Sequence, residues 1–114
     1  MRKKKNYLEN IPLKHCNIST VKEEDGQITL LKPNTGIFDR FAQRFFKRPP
    51  VTHIALDQFG TFVWEDIDGE KDLTQIGKDV SERFGEEAEP LYERLSKYFY
   101  ILEEEKLIIF KKKV

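Results

Sequence analysis

The sequence has almost no cysteine and no long hydrophobic run. Its one cysteine, Cys16, excludes an internal disulfide framework and fits a reducing compartment. No apolar run approaches the roughly 18 residues of a membrane span. The basic start is followed by Ile11, Pro12, Leu13 and Lys14, which do not form the apolar core of a signal peptide. We therefore expect an unsecreted, cytoplasmic protein with no membrane partner.

Motifs of enzymes and metal sites are missing as well. There is no P-loop, GxGxxG, GxSxG, CxxC or HExxH pattern. His15 and Cys16 are adjacent, so in a strand they point to opposite faces and do not readily share one metal. His53 lacks the nucleophile and orienting group of a triad. The acidic stretches 86–89 and 103–105 lack EF-hand spacing. We therefore expect no enzyme activity, no cofactor and no metal.

Charge is unevenly spread along the 114 residues, although the net charge is zero. Residues 1–48 contain 11 Lys/Arg and 5 Asp/Glu, whereas residues 49–114 contain 9 and 15. With 39% hydrophobic residues, the chain has the composition of a folded domain and not of a disordered one. Its length allows one core. We expect a basic flexible tail over residues 1–14 and a single domain over residues 15–114.

The first half of the chain predicts a hairpin, a helix and a further strand. Asp25-Gly26 stands between two weakly alternating runs, which predicts hairpin strands at about 16–23 and 27–32. The segment 37–48 repeats phenylalanine at helical spacing, and its basic residues fall largely outside the face that the phenylalanines share. An amphipathic helix is therefore expected there. The β-branched start of 51–56 predicts a third strand.

Three helices are expected after this strand, over about 58–67, up to about Phe84, and over about 87–104. Asp72 or Thr74 is the expected N-cap of the second helix, and Gly85 is its expected stop.

At least one of Phe62 and Trp64 is expected in the core. A closing strand or wing is expected from Leu107 to Phe110. The predicted fold is α+β and resembles a winged helix-turn-helix: a small antiparallel sheet of about three strands and three helices, with an extra amphipathic helix at about 37–48.

Two of these elements favour binding over catalysis. If the strand over 51–56 lies at a sheet edge, its unpaired N–H and C=O groups form a template for an extended peptide. The last helix has more aromatic residues than one buried stripe needs, namely Tyr92, Tyr98, Phe99 and Tyr100. At least one of them should face a groove or solvent.

The order of these signals resembles the PqqD family of small winged-helix modules. The matching residues are Ile54, Leu56-Asp57, Phe62-Val63-Trp64, Ile67-Asp68-Gly69, Leu73-Thr74, Ile76, Val80, Phe84-Gly85, Leu91, Leu95, Leu102 and Leu107-Ile108. The resemblance is closest over 51–110 and looser over the hairpin at 16–32. The helix at 37–48 is a departure, because it replaces a short link.

The resemblance implies a non-catalytic module that binds the leader of a ribosomally made precursor peptide by strand addition. It implies a second partner, a modifying enzyme that is often a radical SAM enzyme. Carried over by position, the strand contributes mainly backbone groups of Val51, Thr52, His53, Ile54 and Ala55. The last helix contributes Leu91, Arg94, Leu95, Tyr98 and Leu102.

Two other classes fit a domain of this kind. One is a winged-helix regulator that binds DNA, but residues 74–89 are mainly acidic, and phosphate favours the opposite charge. The other is a structural adaptor that docks through the helix at 37–48.

Overall fold

The computed structural model describes residues 7–34, 44 and 50–111. In chain order the elements are the strands β1 (Pro12–Lys14), β2 (Ser19–Lys22), β3 (Ile28–Pro33) and β4 (Val51–Ala55), the helices α1 (Gln58–Asp66), α2 (Leu73–Phe84) and α3 (Leu91–Glu104), and the strand β5 (Ile108–Phe110). Short 3-10 helices cover Tyr7–Glu9 and Gly85–Ala88. The contacts divide the chain into two units, Met1–His15 with Phe59–Val114, and Cys16–Gln58.

The unit Cys16–Gln58 contains the predicted hairpin and the third strand. Its sheet has the order β2-β3-β4 with antiparallel neighbours. Gly26 closes the hairpin with a φ of 85°, a value that glycine adopts at little cost, and its N–H donates to the Glu23 carbonyl. The Asp25 carboxylate accepts from the Gln27 N–H and fixes the turn further. The predicted hairpin is confirmed.

The predicted amphipathic helix over 37–48 lies outside the described residues, except for Arg44. It stays a prediction.

The unit Met1–His15 with Phe59–Val114 contains the three predicted helices. Asp72 caps α2: its carboxylate accepts from the Gln75 N–H, while the Gln75 side chain accepts from the Asp72 N–H. Gly85 ends the helix with a φ of 62°. Both of these predicted boundaries are confirmed.

The last helix begins later than predicted. Residues Gly85–Ala88 form a 3-10 turn, and α3 starts only at Leu91. Glu89 has an extended backbone because a following proline disfavours the helical conformation, and Pro90 itself is also extended. Pro90 therefore precedes the helix and does not lie within its first turn.

Residues 7–14, the described part of the predicted tail, contain a 3-10 turn and a strand. β1 pairs antiparallel with β5, with Leu13 opposite Ile109. Pro12 is fully buried, and the ring of Tyr7 meets the ring of Phe110 edge-on at 5.7 Å. A two-stranded pair thus forms between segments almost a hundred residues apart in the chain, a partnership without a local sequence signal.

The core of this unit comes from one stripe on each helix. The buried residues include Val63, Trp64, Leu73, Ile76, Val80, Leu91, Leu95, Phe99 and Leu102. Trp64 is 2% exposed and is the predicted core aromatic of α1, whereas Phe62 is half-buried and touches the edge of the Phe84 ring. Three helices and small antiparallel sheets make the fold α+β, as predicted.

Candidate functional site

One edge of the three-stranded sheet is open along β4. This strand pairs with β3 on one side, and no strand among the described residues pairs with its other side. An open strand edge presents N–H and C=O groups that can pair with an extended chain. The predicted edge position of this strand therefore holds within the part of the chain that the structure describes.

The hydrogen bonds at the two ends of the β3–β4 pairing set its pattern. At one end the Leu56 N–H donates to the Ile28 carbonyl at 2.8 Å. At the other end the Asn34 N–H donates to the Pro50 carbonyl, also at 2.8 Å. In an antiparallel pair, hydrogen-bonded and non-bonded residue pairs alternate. The even-numbered residues of this stretch are therefore those that bond to β3.

This alternation divides the five predicted site residues of β4 into two sets. Thr52 and Ile54 bond to β3, opposite Lys32 and Leu30. The remaining three residues turn their N–H and C=O groups toward the open edge; they are Val51, His53 and Ala55. Since side chains alternate as well, these three share the face of the sheet on which His53 and Ala55 are exposed.

The predicted residues of α3 also divide into two sets. Leu91, Leu95 and Leu102 are between 0% and 5% exposed, so a peptide cannot reach their side chains directly. They hold the helix in its place by packing. Arg94 and Tyr98 lie on the flank of this stripe and are half-buried.

Both flank residues are fixed by specific contacts. The Tyr98 hydroxyl donates to the Gly60 carbonyl of α1 at 2.9 Å. The Arg94 guanidinium lies 4.3 Å from the centre of the Phe59 ring, and its Nη1 donates to the Glu87 carbonyl at 2.9 Å. The two side chains are therefore already ordered in the free protein, which lowers the entropy cost of binding to them.

Ile101 is a flank residue that the sequence reasoning did not single out. It follows Tyr98 by three positions and Arg94 by seven, so all three fall on one side of α3. Its side chain is 51% exposed, which is unusual for isoleucine. The helical spacing was a sufficient signal, since Ile101 lies outside the buried stripe.

The aromatic rings beside this flank were not predicted either. Phe59 of α1 contacts Tyr98 edge-on at 6.2 Å and Phe84 of α2 at 5.9 Å, both between ring centres. Because these rings come from three helices, no local pattern in the sequence could have brought them together. The excess aromatic surface predicted for α3 is visible at Tyr100, which is 56% exposed.

A comparison with protein families gives one match. The family model described as coenzyme PQQ synthesis protein D (PqqD) matches residues 31–108, most of the chain. The chain belongs to the PqqD family. Members of this family are non-catalytic accessory proteins that bind a precursor peptide for a modifying enzyme. No curated protein and no solved structure matches the chain.

The match to the PqqD family covers β4, all three helices and the first residue of β5. It leaves out β1 and β2, and the strand β3 enters it only at Leu31. The outward-facing residues of β4 and the flank of α3 thus both lie inside the segment that the family model matches.

Within this PqqD-family chain, Lys71 joins the end of α1 to α2. Its ammonium contacts the Asp66 carboxylate at 2.8 Å and the Asp79 carboxylate at 2.9 Å. The hydrogen bond to Asp66 raises the pKa of Lys71 most, and the bond to Asp79 raises it further. Burial raises the pKa of Asp66, whereas hydrogen bonds with Asp66 and Lys71 lower the pKa of Asp79. Lys71 is thus part of the fold, whereas Lys78 is exposed and serves as a control for surface substitutions.

The described residues include neither a cluster that could hold a metal ion nor a helix that could span a membrane. They contain no group of three or more His, Cys, Asp or Glu side chains arranged to hold a metal ion. None of the helices they form is long and apolar enough to cross a membrane.

Proposed function

We propose that this protein binds the leader of a ribosomally synthesised precursor peptide by strand addition and presents it to a modifying enzyme of the radical SAM type. Family membership supports a precursor peptide and a modifying enzyme as partners. The observation that carries the binding mode is the open edge of β4, where Val51, His53 and Ala55 direct backbone donors and acceptors outward.

The proposal assigns different roles to the two sets of β4 residues. The three outward residues pair with the peptide through the backbone, so the identities of their side chains contribute little. Thr52 and Ile54 keep the strand in register with β3. The peptide therefore gains affinity from a row of main-chain hydrogen bonds and needs its selectivity from elsewhere.

The helix α3 supplies that selectivity in the proposal. Arg94, Tyr98 and Ile101 contact the peptide through exposed atoms, because they form the accessible flank of the helix. Leu91, Leu95 and Leu102 contribute only by holding this flank in place.

The proposed role needs neither a cofactor nor catalysis by the protein itself. The modifying enzyme performs the chemistry, and this chain raises the local concentration of its substrate. We place this activity in the cytoplasm, where a lone exposed cysteine stays reduced.

Nuclear magnetic resonance with the full chain tests the proposal directly. Peptides are first selected on the protein from a random-peptide display library, because the natural leader is unidentified. Titration of the isotope-labelled protein with the best peptide should shift the amide signals of Val51, His53 and Ala55 and of the flank of α3. Shifts confined to α2, with 51–55 and 91–102 unaffected, would overturn the binding mode.

A pair of substitutions at one position separates the backbone from the side chain. His53→Pro removes an outward N–H but no bond to β3, so it should weaken peptide binding by about tenfold, the effect of one lost hydrogen bond in a dry interface. His53→Ala keeps that N–H and should bind peptide like the natural sequence. If His53→Ala loses as much binding as His53→Pro, the histidine ring and not the strand edge recognises the peptide.

We also propose that no duplex DNA is bound specifically. The exposed surface of α2 and the turn after it includes Glu82, Glu86 and Glu87 against Lys78 and Arg83. Acidic side chains oppose contact with phosphates. A mobility-shift titration at low salt should show no sequence-selective complex, and a selective complex with a steep salt dependence would support the regulator class instead.

A further inference from the structure

Two arginines lie in an acidic part of the protein. Residues 7–15 and 59–111 contain 15 Asp/Glu and 8 Lys/Arg. Among the described residues, however, neither Arg83 nor Arg94 forms an ion pair with a carboxylate. In a unit with this excess of acidic residues, such unpaired guanidinium groups need an explanation.

Both guanidinium groups lie on aromatic rings that touch each other. Arg94 lies 4.3 Å from the centre of Phe59, and Arg83 lies 5.0 Å from the centre of Phe84. The two rings are 5.9 Å apart, and Tyr98 meets Phe59 edge-on. We call these five residues the arginine–aromatic cluster.

The cluster is accessible and still has hydrogen-bonding capacity. Arg83 is exposed, and the other four members are half-buried. A guanidinium group has five N–H donors, and Arg94 uses one of them for the Glu87 carbonyl. That bond and the Phe59 ring hold the fork of Arg94 in one orientation, which suits paired hydrogen bonds to a carboxylate.

The acidic surface around the cluster restricts where a carboxylate of a ligand can bind. An acidic side chain of a ligand meets mainly like charge elsewhere on this unit, and it meets cations at the arginine–aromatic cluster. An apolar side chain next to it can pack on the half-buried rings. The surface therefore discriminates both the composition of a ligand and its register.

We propose that the arginine–aromatic cluster is a subsite for an Asp or Glu side chain of the bound peptide, with an apolar side chain beside it. This inference rests on the proposed function and specifies its ligand as an acidic and apolar segment.

The test is a selection from one random-peptide display library on five forms of the full chain. These are the natural sequence, Arg94→Gln, the double variant Arg83→Gln/Arg94→Gln, the charge reversal Arg83→Glu/Arg94→Glu, and the control Lys78→Gln. Thermal melts first establish that each form is folded. Peptides selected on the natural protein and on the Lys78→Gln control should be enriched in Asp or Glu near an apolar residue.

The variants should change this preference in a defined way. The double glutamine variant should lose the acidic enrichment, and the charge reversal should select Lys or Arg at that position. In fluorescence titrations, Asp→Asn or Glu→Gln in a selected peptide should cost about tenfold in affinity on the natural protein, as expected for one charge-assisted contact, and less than about twofold on Arg94→Gln.

The outcomes separate this inference from the proposed function. If no peptide is enriched on the natural protein, the peptide-binding function itself is overturned. If peptides bind and shift the β4 amides but show no acidic preference, only the subsite is overturned. An acidic preference that is unchanged in the double glutamine variant also overturns the subsite, because the arginines then only pack on their rings.

Discussion

The strand β4 and the helix α3 were both predicted to bind a peptide, but they offer it different kinds of atoms. The strand presents backbone groups of every second residue, at Val51, His53 and Ala55. The helix presents side chains, at Arg94, Tyr98 and Ile101, and buries its leucines. In the proposed binding mode, the alternation of residues decides which groups of the strand meet the peptide, and the identity of each flank residue decides what the helix contributes.

In the proposed binding mode, the strand supplies affinity and the helix supplies selectivity. Backbone pairing gives affinity to almost any extended chain, because every residue except proline has the same donor and acceptor. Side chains on a helix can match only some ligands. A substitution should therefore act on the strand mainly by changing the backbone, and on the helix by changing the side chain.

The largest effect is expected at the buried stripe of α3. Leu95 is fully buried, so Leu95→Ala should lower the free energy of unfolding by about 2–5 kcal/mol, through lost burial and the remaining cavity. Chemical denaturation measures this change. A loss below about 1 kcal/mol would show that the site collapses freely or that the stripe is wrongly placed.

The next effect distinguishes the two sets of strand residues. Ile54→Pro removes a donor to Leu30 and leaves a buried acceptor unpaired, which should cost about 1–3 kcal/mol of unfolding free energy. His53→Pro removes an outward donor and should cost clearly less. Thermal or chemical melts of both variants decide the matter, and equal losses would contradict the assigned alternation.

A smaller effect is expected at the hydroxyl of Tyr98. Tyr98→Phe removes the hydrogen bond to the Gly60 carbonyl while the ring contacts remain, so it should cost about 0.5–1.5 kcal/mol of unfolding free energy. Denaturation of this variant and of Tyr92→Phe as a control provides the measurement. If the two variants lose the same free energy of unfolding, the hydrogen bond of the Tyr98 hydroxyl does not contribute to stability as predicted.

The smallest effect on stability is expected at Ile101, together with a clear effect on binding. Ile101→Gln replaces a half-exposed apolar side chain by a good helix former, so unfolding free energy should change by no more than about 0.5 kcal/mol. Peptide affinity should nevertheless fall, because the apolar flank contact is lost. Titration with a library-selected peptide checks this, and unchanged affinity would remove Ile101 from the binding surface.

Local patterns in the sequence were enough to predict most of the secondary structure. Asp25-Gly26, the Asp72 capping box and Gly85 each fix a turn or a helix end through atoms only a few residues apart. The start of α3 was predicted too early, because the helical spacing of 87–104 was given more weight than the effect of Pro90 on Glu89. The predicted order of strand, three helices and strand was correct.

The candidate site was predictable only in part. The resemblance selected the strand over 51–56 and the last helix as candidates, which stays a prediction, and helical spacing could have separated Ile101 from the buried leucines. Nothing in the sequence marked Lys71 as a bridge between two carboxylates, since Asp66 and Asp79 lie on different helices. Nor did it mark the contact between Phe59 and Phe84.

The sequence by itself determined the α+β class, the hairpin, both ends of α2 and the family, because these depend on turn chemistry, capping and apolar spacing within short segments. Only the tertiary structure decided the pairing of β1 with β5, which residues of β4 face the open edge, and the assembly of the arginine–aromatic cluster. Each of these depends on the register or position of a partner that is distant in the chain. A shift of one residue in that register would exchange the outward and inward sets of β4 without any change in sequence.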